Sequence, residues 1–339
     1  MDPEKTQGAG MKRNRGATMA AVVLLMAHLA AATEPGARWA ILITGVSGDP
    51  QLQDMYLKEL TELRSVLEER MAIPRDGITV LFDDPARDSA LIQHKSTRSD
   101  LQDVCRRLAA AVNQNDLVFV YIGGHGNYDG ETYKLNLVGP DPTAAELASM
   151  LYSIPAGRFV IVNTTSCSGG SLGDLSQKGS IVITATRSGM EKNQTSFGRY
   201  FIEALGDDAA DTDRNRRLSV AEAFLYANRK VEEHYKTEGK LQTEHPVLED
   251  NGDGKAESRP APENGEGLLA MATFLDAGTS DAAGSLTAEQ QRLSNEAREV
   301  EAEIEALKYE KAGMSEAEYE RRLEELLIRL AKINARLQK

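Results

Sequence analysis

Between residues 39 and 235, short apolar runs alternate with helical patterns, and this alternation leaves few architectures open to the chain. Trp39–Thr44, Ile78–Phe82, Leu117–Ile122, Arg158–Asn163 and Ser180–Thr186 each read as a buried strand. Runs that are apolar throughout mark strands covered on both faces, the condition of a parallel sheet between helical layers. The segments between them supply the helices. Leu52, Met55, Tyr56, Leu60, Leu63 and Leu67 make one apolar helical face over 51–71, closed by Pro74. Further helices are expected over 97–113, over 143–152 with Thr143 as its cap, and near 196–206 and 219–236. Glu131–Val138 alternates like a short hairpin strand. The expected fold class is α/β, a three-layer sandwich with a mostly parallel central sheet.

The rest of the chain divides by composition. Lys12, Arg13 and Arg15 precede the mostly apolar Met19–Ala32, which ends in three alanines. This is the pattern of a signal peptide over residues 1–32, and it predicts a secreted or periplasmic protein. The apolar stretch falls short of the roughly 20 residues that span a bilayer, so membrane anchoring by the same segment is the second choice. Residues 33–249 form the sheet domain. Residues 250–284, rich in Gly, Pro, Glu, Asn and Asp, read as a linker holding one apolar segment, Leu268–Leu275. Over 285–339, Leu293, Ala297, Val300, Ile304 and Leu307 and then Leu323, Leu326, Leu330, Ile333 and Leu337 follow heptad-like spacing, with a capping box at Ser315–Glu318 between the runs. A C-terminal α-helical hairpin or short coiled coil is expected there, offering self-association or a partner helix through 286–339. Net charge is −13 and no basic stripe occurs, which argues against a nucleic-acid partner.

Two strand ends carry the chemistry. The run ending at Ile122 passes into Gly123-Gly124-His125-Gly126, and the run ending at Asn163 passes into Thr164-Thr165-Ser166-Cys167-Ser168-Gly169-Gly170. Open parallel sheets place ligands at the C-terminal ends of their strands. A lone cysteine is usually a small buried hydrophobe and a lone histidine a satisfied core group. Here both follow a buried strand and both lie in turns of Gly and Ser, where the backbone can approach a substrate and donate to an oxyanion. A thiol meeting an imidazole is a nucleophile meeting its base, so a cysteine peptidase acting on a peptide or protein substrate is expected, with no cofactor required. Cys105, spaced with Leu101, Leu108 and Val112 on a helical face, reads as core. His28, His94, His234 and His245 lack the paired spacing of a zinc site.

These stretches resemble the caspase-like (clan CD) superfamily of cysteine peptidases, and within it the legumain-type peptidases and their bacterial relatives. Trp39–Gly45 is similar to the opening strand, Ile73–Ala86 to the second strand with its acidic pair, Tyr121–Gly126 to the catalytic His-Gly turn, and Val162–Gly170 to the catalytic Cys turn. The likeness covers roughly residues 38–235. It implies His125 as base, Cys167 as nucleophile, the amides of Gly126 and Cys167 as the oxyanion hole, and hydrolysis through a thioester. Two departures stand out. Val46-Ser47-Gly48-Asp49-Pro50 replaces the Arg-His pair of legumains, and Thr165 replaces the acid two positions before the thiol. The resemblance therefore does not carry a preference for asparagine. A transamidase or ligase using the same acyl-enzyme, and a catalytically silent interaction module, are the competing functions. Glu191 and Asp129 are the carboxylates that could select a basic side chain.

A metal site is also suggested. Asp211, Asp213, Asn215, Arg217, Ser219 and Glu222 fall at loop positions 1, 3, 5, 7, 9 and 12 of the EF-hand calcium spacing, Arg217 through its carbonyl. Arg216 stands where the turn asks for Gly. The alternative is an acidic loop ahead of a helix capped by Ser219 and Glu222. Asp250-Asn251-Gly252-Asp253-Gly254 reads as a second acidic turn.

Overall fold

The computed structural model describes residues 36–275 and 314–337, with isolated positions between 292 and 307. Its elements are β1 (Arg38–Thr44), α1 (Pro50–Glu69), β2 (Ile78–Phe82), β3 (His94–Lys95), α2 (Arg98–Ala109), β4 (Leu117–Gly123), β5 (Gly126–Tyr128), β6 (Tyr133–Leu135), α3 (Ala144–Leu151), β7 (Arg158–Asn163), α4 (Leu172–Leu175), β8 (Ser180–Thr184), α5 (Phe197–Gly206), α6 (Val220–Thr237), β9 (Val247–Glu249), α7 (Leu268–Ala272) and α8 (Glu316–Leu337). Seven strands form one sheet in the order β3-β2-β1-β4-β7-β8-β9, parallel except for β9. β5 and β6 form a separate antiparallel hairpin.

The period-2 geometry of strands explains the unbroken apolar runs. Alternate residues Ala40, Leu42, Phe119, Tyr121, Val160 and Val162 face one layer, with α1, α5 and α6. Their neighbours Ile41, Ile43, Val118, Val120, Ile122 and Ile161 face the other, with α2 and α3. Each Val, Leu, Ile or Phe among them contributes about 1.5–3 kcal/mol when fully buried. The result is the three-layer α/β arrangement with a mostly parallel central sheet that the sequence predicts.

Helix starts follow their caps. Asp49 accepts from the amides of Gln51 and Leu52 at 2.8 and 2.9 Å, with Pro50 opening α1. Thr143 and Glu146 form a reciprocal capping box at α3. Thr143→Ala should therefore cost about 1 kcal/mol.

The stretch after Glu249 corrects the linker expectation over 250–275. Asp250, almost fully buried, accepts from the amides of Gly267 and Ala270 at 2.8 and 2.7 Å. Ala270 and Leu275 are buried, and Leu275 donates its amide to the Leu218 carbonyl at 2.7 Å. Acidic residues that suggest solvated chain here satisfy backbone donors instead. At the other end of the chain, the Ser315 hydroxyl accepts from the Glu318 amide at 3.3 Å and caps α8. Leu293, Val300, Ile304 and Ile333 share a small buried cluster with Leu323, Leu326 and Leu330 against it. The expected signal peptide lies outside the described residues. Among the described residues no helix is long and apolar enough to cross a membrane.

Candidate active site

β4 and β7 are neighbours, parallel, with Ile122 opposite Asn163. His125 follows three residues after Ile122 and Cys167 four after Asn163, so both turns leave the same edge of the sheet. A direct cross-link holds the turns together. The Ser166 hydroxyl donates to the Gly126 carbonyl at 3.2 Å and accepts from the Gly126 amide at 3.4 Å. Gly126 has no room for a side chain: a Cβ there would meet the Ser166 carbonyl oxygen at 2.4 Å and the Tyr133 ring at 2.5 Å.

Asn163 anchors the Cys turn from below. Fully buried, it accepts from the Thr165 amide and hydroxyl at 3.2 and 2.8 Å and donates to Ser171 and Tyr133 at 3.0 and 3.3 Å. Thr165 is thus a buried structural hydroxyl. Beyond it Cys167 adopts a left-handed conformation, φ 60° and ψ 8°. That conformation costs an L-residue roughly 1–2 kcal/mol, and strain of this kind gathers at functional sites.

Cys167 is only 2% exposed. Burial pushes its thiol above the ordinary value, while the Lys192 ammonium and the Tyr128 backbone amide pull the other way. Cys105, buried in α2 as expected, is pushed up to about 12 by burial. His125 is half-buried, and its ring meets Tyr56 edge-on with centroids 6.2 Å apart. Gly48 lies beside its Nε2. Among the described residues no hydrogen bond joins the imidazole to the thiol.

The expected oxyanion donors are occupied. The Cys167 amide donates to the Glu191 carbonyl at 2.8 Å, and the Gly126 amide points to Ser166 as above. The Glu191 segment is itself pinned. Its carboxylate bonds His245 Nδ1 at 2.7 Å and the His245 amide at 3.1 Å, and pairs with Arg187 at 3.1 Å. Glu191 is therefore not an open acid for a basic side chain. Asp129 is exposed and caps its own turn, one carboxylate oxygen accepting from the Glu131 and Thr132 amides.

Sequence reasoning missed the residues that pack this lid. The Tyr128 ring lies against Gly170 and Gly189, where a Cβ would come within 2.8 and 2.3 Å of it. Lys192 donates to the Tyr128 carbonyl at 3.2 Å. A cleft of about 530 Å³ nearby along the chain is lined by Met55, Glu59, Gln194, Thr195 and Arg199. Burial pushes the Glu59 carboxyl there up to about 7. The hairpin expected at 131–138, with Asp129 and Glu191 singled out as carboxylates, was what the sequence showed of this region.

The acidic loop runs from Asp211 into the start of α6 at Ser219. Asp211, Asp213 and Glu222 each bring a carboxylate oxygen within 4.8 Å of the others. Asp211 accepts from the amides of Asn215 and Arg216 at 3.1 and 2.8 Å, and the Asn215 side-chain oxygen accepts from the Arg217 amide at 2.8 Å. Burial and then the Glu222 charge raise Asp213 above the usual carboxylate range. Glu222 also completes a capping box with Ser219, the role expected of it at the start of the helix. Arg214 and Arg216 take φ of 59° and 63°. The Arg217 guanidinium stacks on Phe274, 3.6 Å from the ring centre.

No protein-family model matches the sequence, and no curated protein matches it. Among solved structures the chain is similar to the Drosophila initiator caspase Dronc, with 11% identity, a TM-score of 0.42, and coverage of 66% of this chain and 84% of that one. It is also similar to protein GSU0716 from Geobacter sulfurreducens, with 10% identity, a TM-score of 0.41, and coverage of 68% of this chain and 97% of that one.

Proposed function

We propose that the chain is a cysteine peptidase in which Cys167 is the nucleophile and His125 the base. The observation that carries this is the β4–β7 pairing, which sets both turns at one sheet edge and stitches them through Ser166 and Gly126. In the reaction His125 takes the thiol proton and the thiolate attacks the scissile carbonyl carbon. The C–N bond breaks as the imidazolium gives its proton to the leaving amine, leaving a thioester. Water, deprotonated by His125, releases the acid and restores the thiol. The Gly126 and Cys167 amides would stabilise the oxyanion.

The present arrangement is a resting one under this proposal. The Glu191 carbonyl must leave the Cys167 amide before an oxyanion can take its place. Incubation with fluorogenic peptides and an active-site thiol probe tests the function: cleavage and labelling are expected to stop together in Cys167→Ala. Cleavage persisting in that variant would end the proposal.

We also propose that the Asp211–Glu222 loop takes Ca²⁺. The carboxylate convergence and the left-handed backbone at Arg214 and Arg216 support this assignment.

A further inference from the structure

A second group of carboxylates lies away from the Cys167 edge. β9 runs antiparallel to β8, with Val247 opposite Thr184 and Glu249 opposite Val182. Its exit loop therefore reaches the N-terminal end of β8, the end of the sheet remote from His125 and Cys167. There Glu249, Asp253 and Glu266 each bring a carboxylate oxygen within 4.8 Å of the others. We infer that these three residues bind one hard divalent cation of the size of Ca²⁺, a structural ion fastening the 250–275 segment to the sheet.

The spacing suits one ion. Ca²⁺ holds oxygens at about 2.3–2.6 Å, so ligands on opposite sides stand about 4.6–5.2 Å apart. The donors are all oxygen, which favours a hard cation over zinc or copper.

An independent observation points to a missing partner. Glu249 is fully buried, and its Oε2 has no hydrogen-bond donor among the described residues. Its other oxygen accepts from the Gly252 amide and from the Asp253 amide at 3.0 Å. The Ser176 hydroxyl and the Gly254 amide lie near Glu249, but neither completes a hydrogen bond to Oε2, and the Ser176 proton goes to the Leu172 carbonyl at 2.7 Å. Buried carboxylate oxygens are ordinarily satisfied, because an unpaired buried charge is costly.

The surroundings orient the ligands by backbone and side-chain hydrogen bonds. Glu266, 2% exposed, accepts from the Asp250 amide at 2.8 Å and the Asn251 side-chain amide at 2.7 Å. Burial, with Asp250 and Glu249 adding to it, pushes the Glu266 carboxyl up to about 8. Lys255 reaches Asp253 at 3.4 Å but is 85% exposed, so water screens it. Gly252, at φ 85°, lets the loop press on the domain: a Cβ would lie 2.6 Å from the Lys178 amide nitrogen. The cradle is thus fixed by backbone contact as well as by charge.

Calorimetric titration of the full chain with CaCl₂, after removal of bound ions, tests the site, with MgCl₂ for comparison. The Glu222→Gln background removes the Asp211 loop from the measurement. One Ca²⁺ per chain should still bind in that background. Adding Asp253→Asn, which keeps the acceptor for the Lys255 amide, should weaken binding about tenfold or more through the lost charge. Adding Glu249→Gln should abolish it. No binding by Glu222→Gln up to about 10 mM Ca²⁺ overturns the site, since even weak extracellular calcium modules saturate by then. Unchanged affinity in the Asp253→Asn variant also overturns it. That variant decides the matter if Glu249→Gln fails to fold.

Discussion

The Cys167 amide donates to the Glu191 carbonyl at 2.8 Å, so the backbone donor of the proposed nucleophile is held by the segment around Glu191. Glu191 is in turn held by His245 and Arg187. Loosening this chain of contacts should speed access to the thiol. In Glu191→Ala, which removes both anchors, alkylation of Cys167 is expected to rise about tenfold, since bonds to a charged group are worth about 1.5–3 kcal/mol. The rate is read by mass spectrometry of iodoacetamide-treated protein, and an unchanged rate would mean the lid is not held this way.

Reactivity should separate the two cysteines. Cys167→Ala is expected to remove probe labelling and peptide cleavage while circular dichroism stays native, because the residue lies in a turn beyond the strand. Cys105→Ala should leave both activities standing and lower the melting temperature, since it empties a fully buried position in α2.

The thiol's raised pKa sets a pH dependence. Burial favours the protonated form, so the thiolate fraction, and with it the alkylation rate of the resting protein, should still be climbing as pH approaches the ordinary thiol value. Lys192→Ala removes the opposing positive charge and should move that rise to higher pH. A profile unchanged by this substitution would discard Lys192 as an electrostatic partner.

Arg216 occupies a conformation made for glycine. Arg216→Gly should relieve roughly 1 kcal/mol of left-handed strain and raise the melting temperature without calcium, less any loss from the freer unfolded chain. If the loop takes Ca²⁺, the same substitution should tighten binding in calorimetry, and Glu222→Gln should weaken it. Destabilisation by Arg216→Gly would show that the arginine side chain does more than tolerate its backbone.

The sheet was legible because five strands are buried on both faces and announce themselves as unbroken apolar runs. Their order along the chain, with helices between, also put the His125 and Cys167 turns at one edge. β3 and β9 escaped notice because two or three residues are too few to show any periodicity. The fate of Glu249, Asp250 and Glu266 was hidden for another reason. An acidic, glycine-rich stretch has one composition whether its carboxylates face water or bind amides, near in the chain for Glu249 and 16 or 20 residues away for Glu266 and Asp250. The lid over Cys167 was illegible for the same cause: the Glu191 carbonyl is backbone, and no side-chain pattern encodes its partner.

The shortness of β3 and β9 has a consequence for life in a crowded solution. They are the two outermost strands of the sheet, and exposed strand edges are templates on which a second molecule can extend the ladder. β3 offers only His94 and Lys95, the latter a charged residue. β9 is antiparallel, and on its outer side Leu248 exchanges both backbone hydrogen bonds with Glu257 at 2.9 Å. The five long hydrophobic strands therefore sit behind two blunt borders, which guard a strongly apolar sheet against edge-to-edge aggregation.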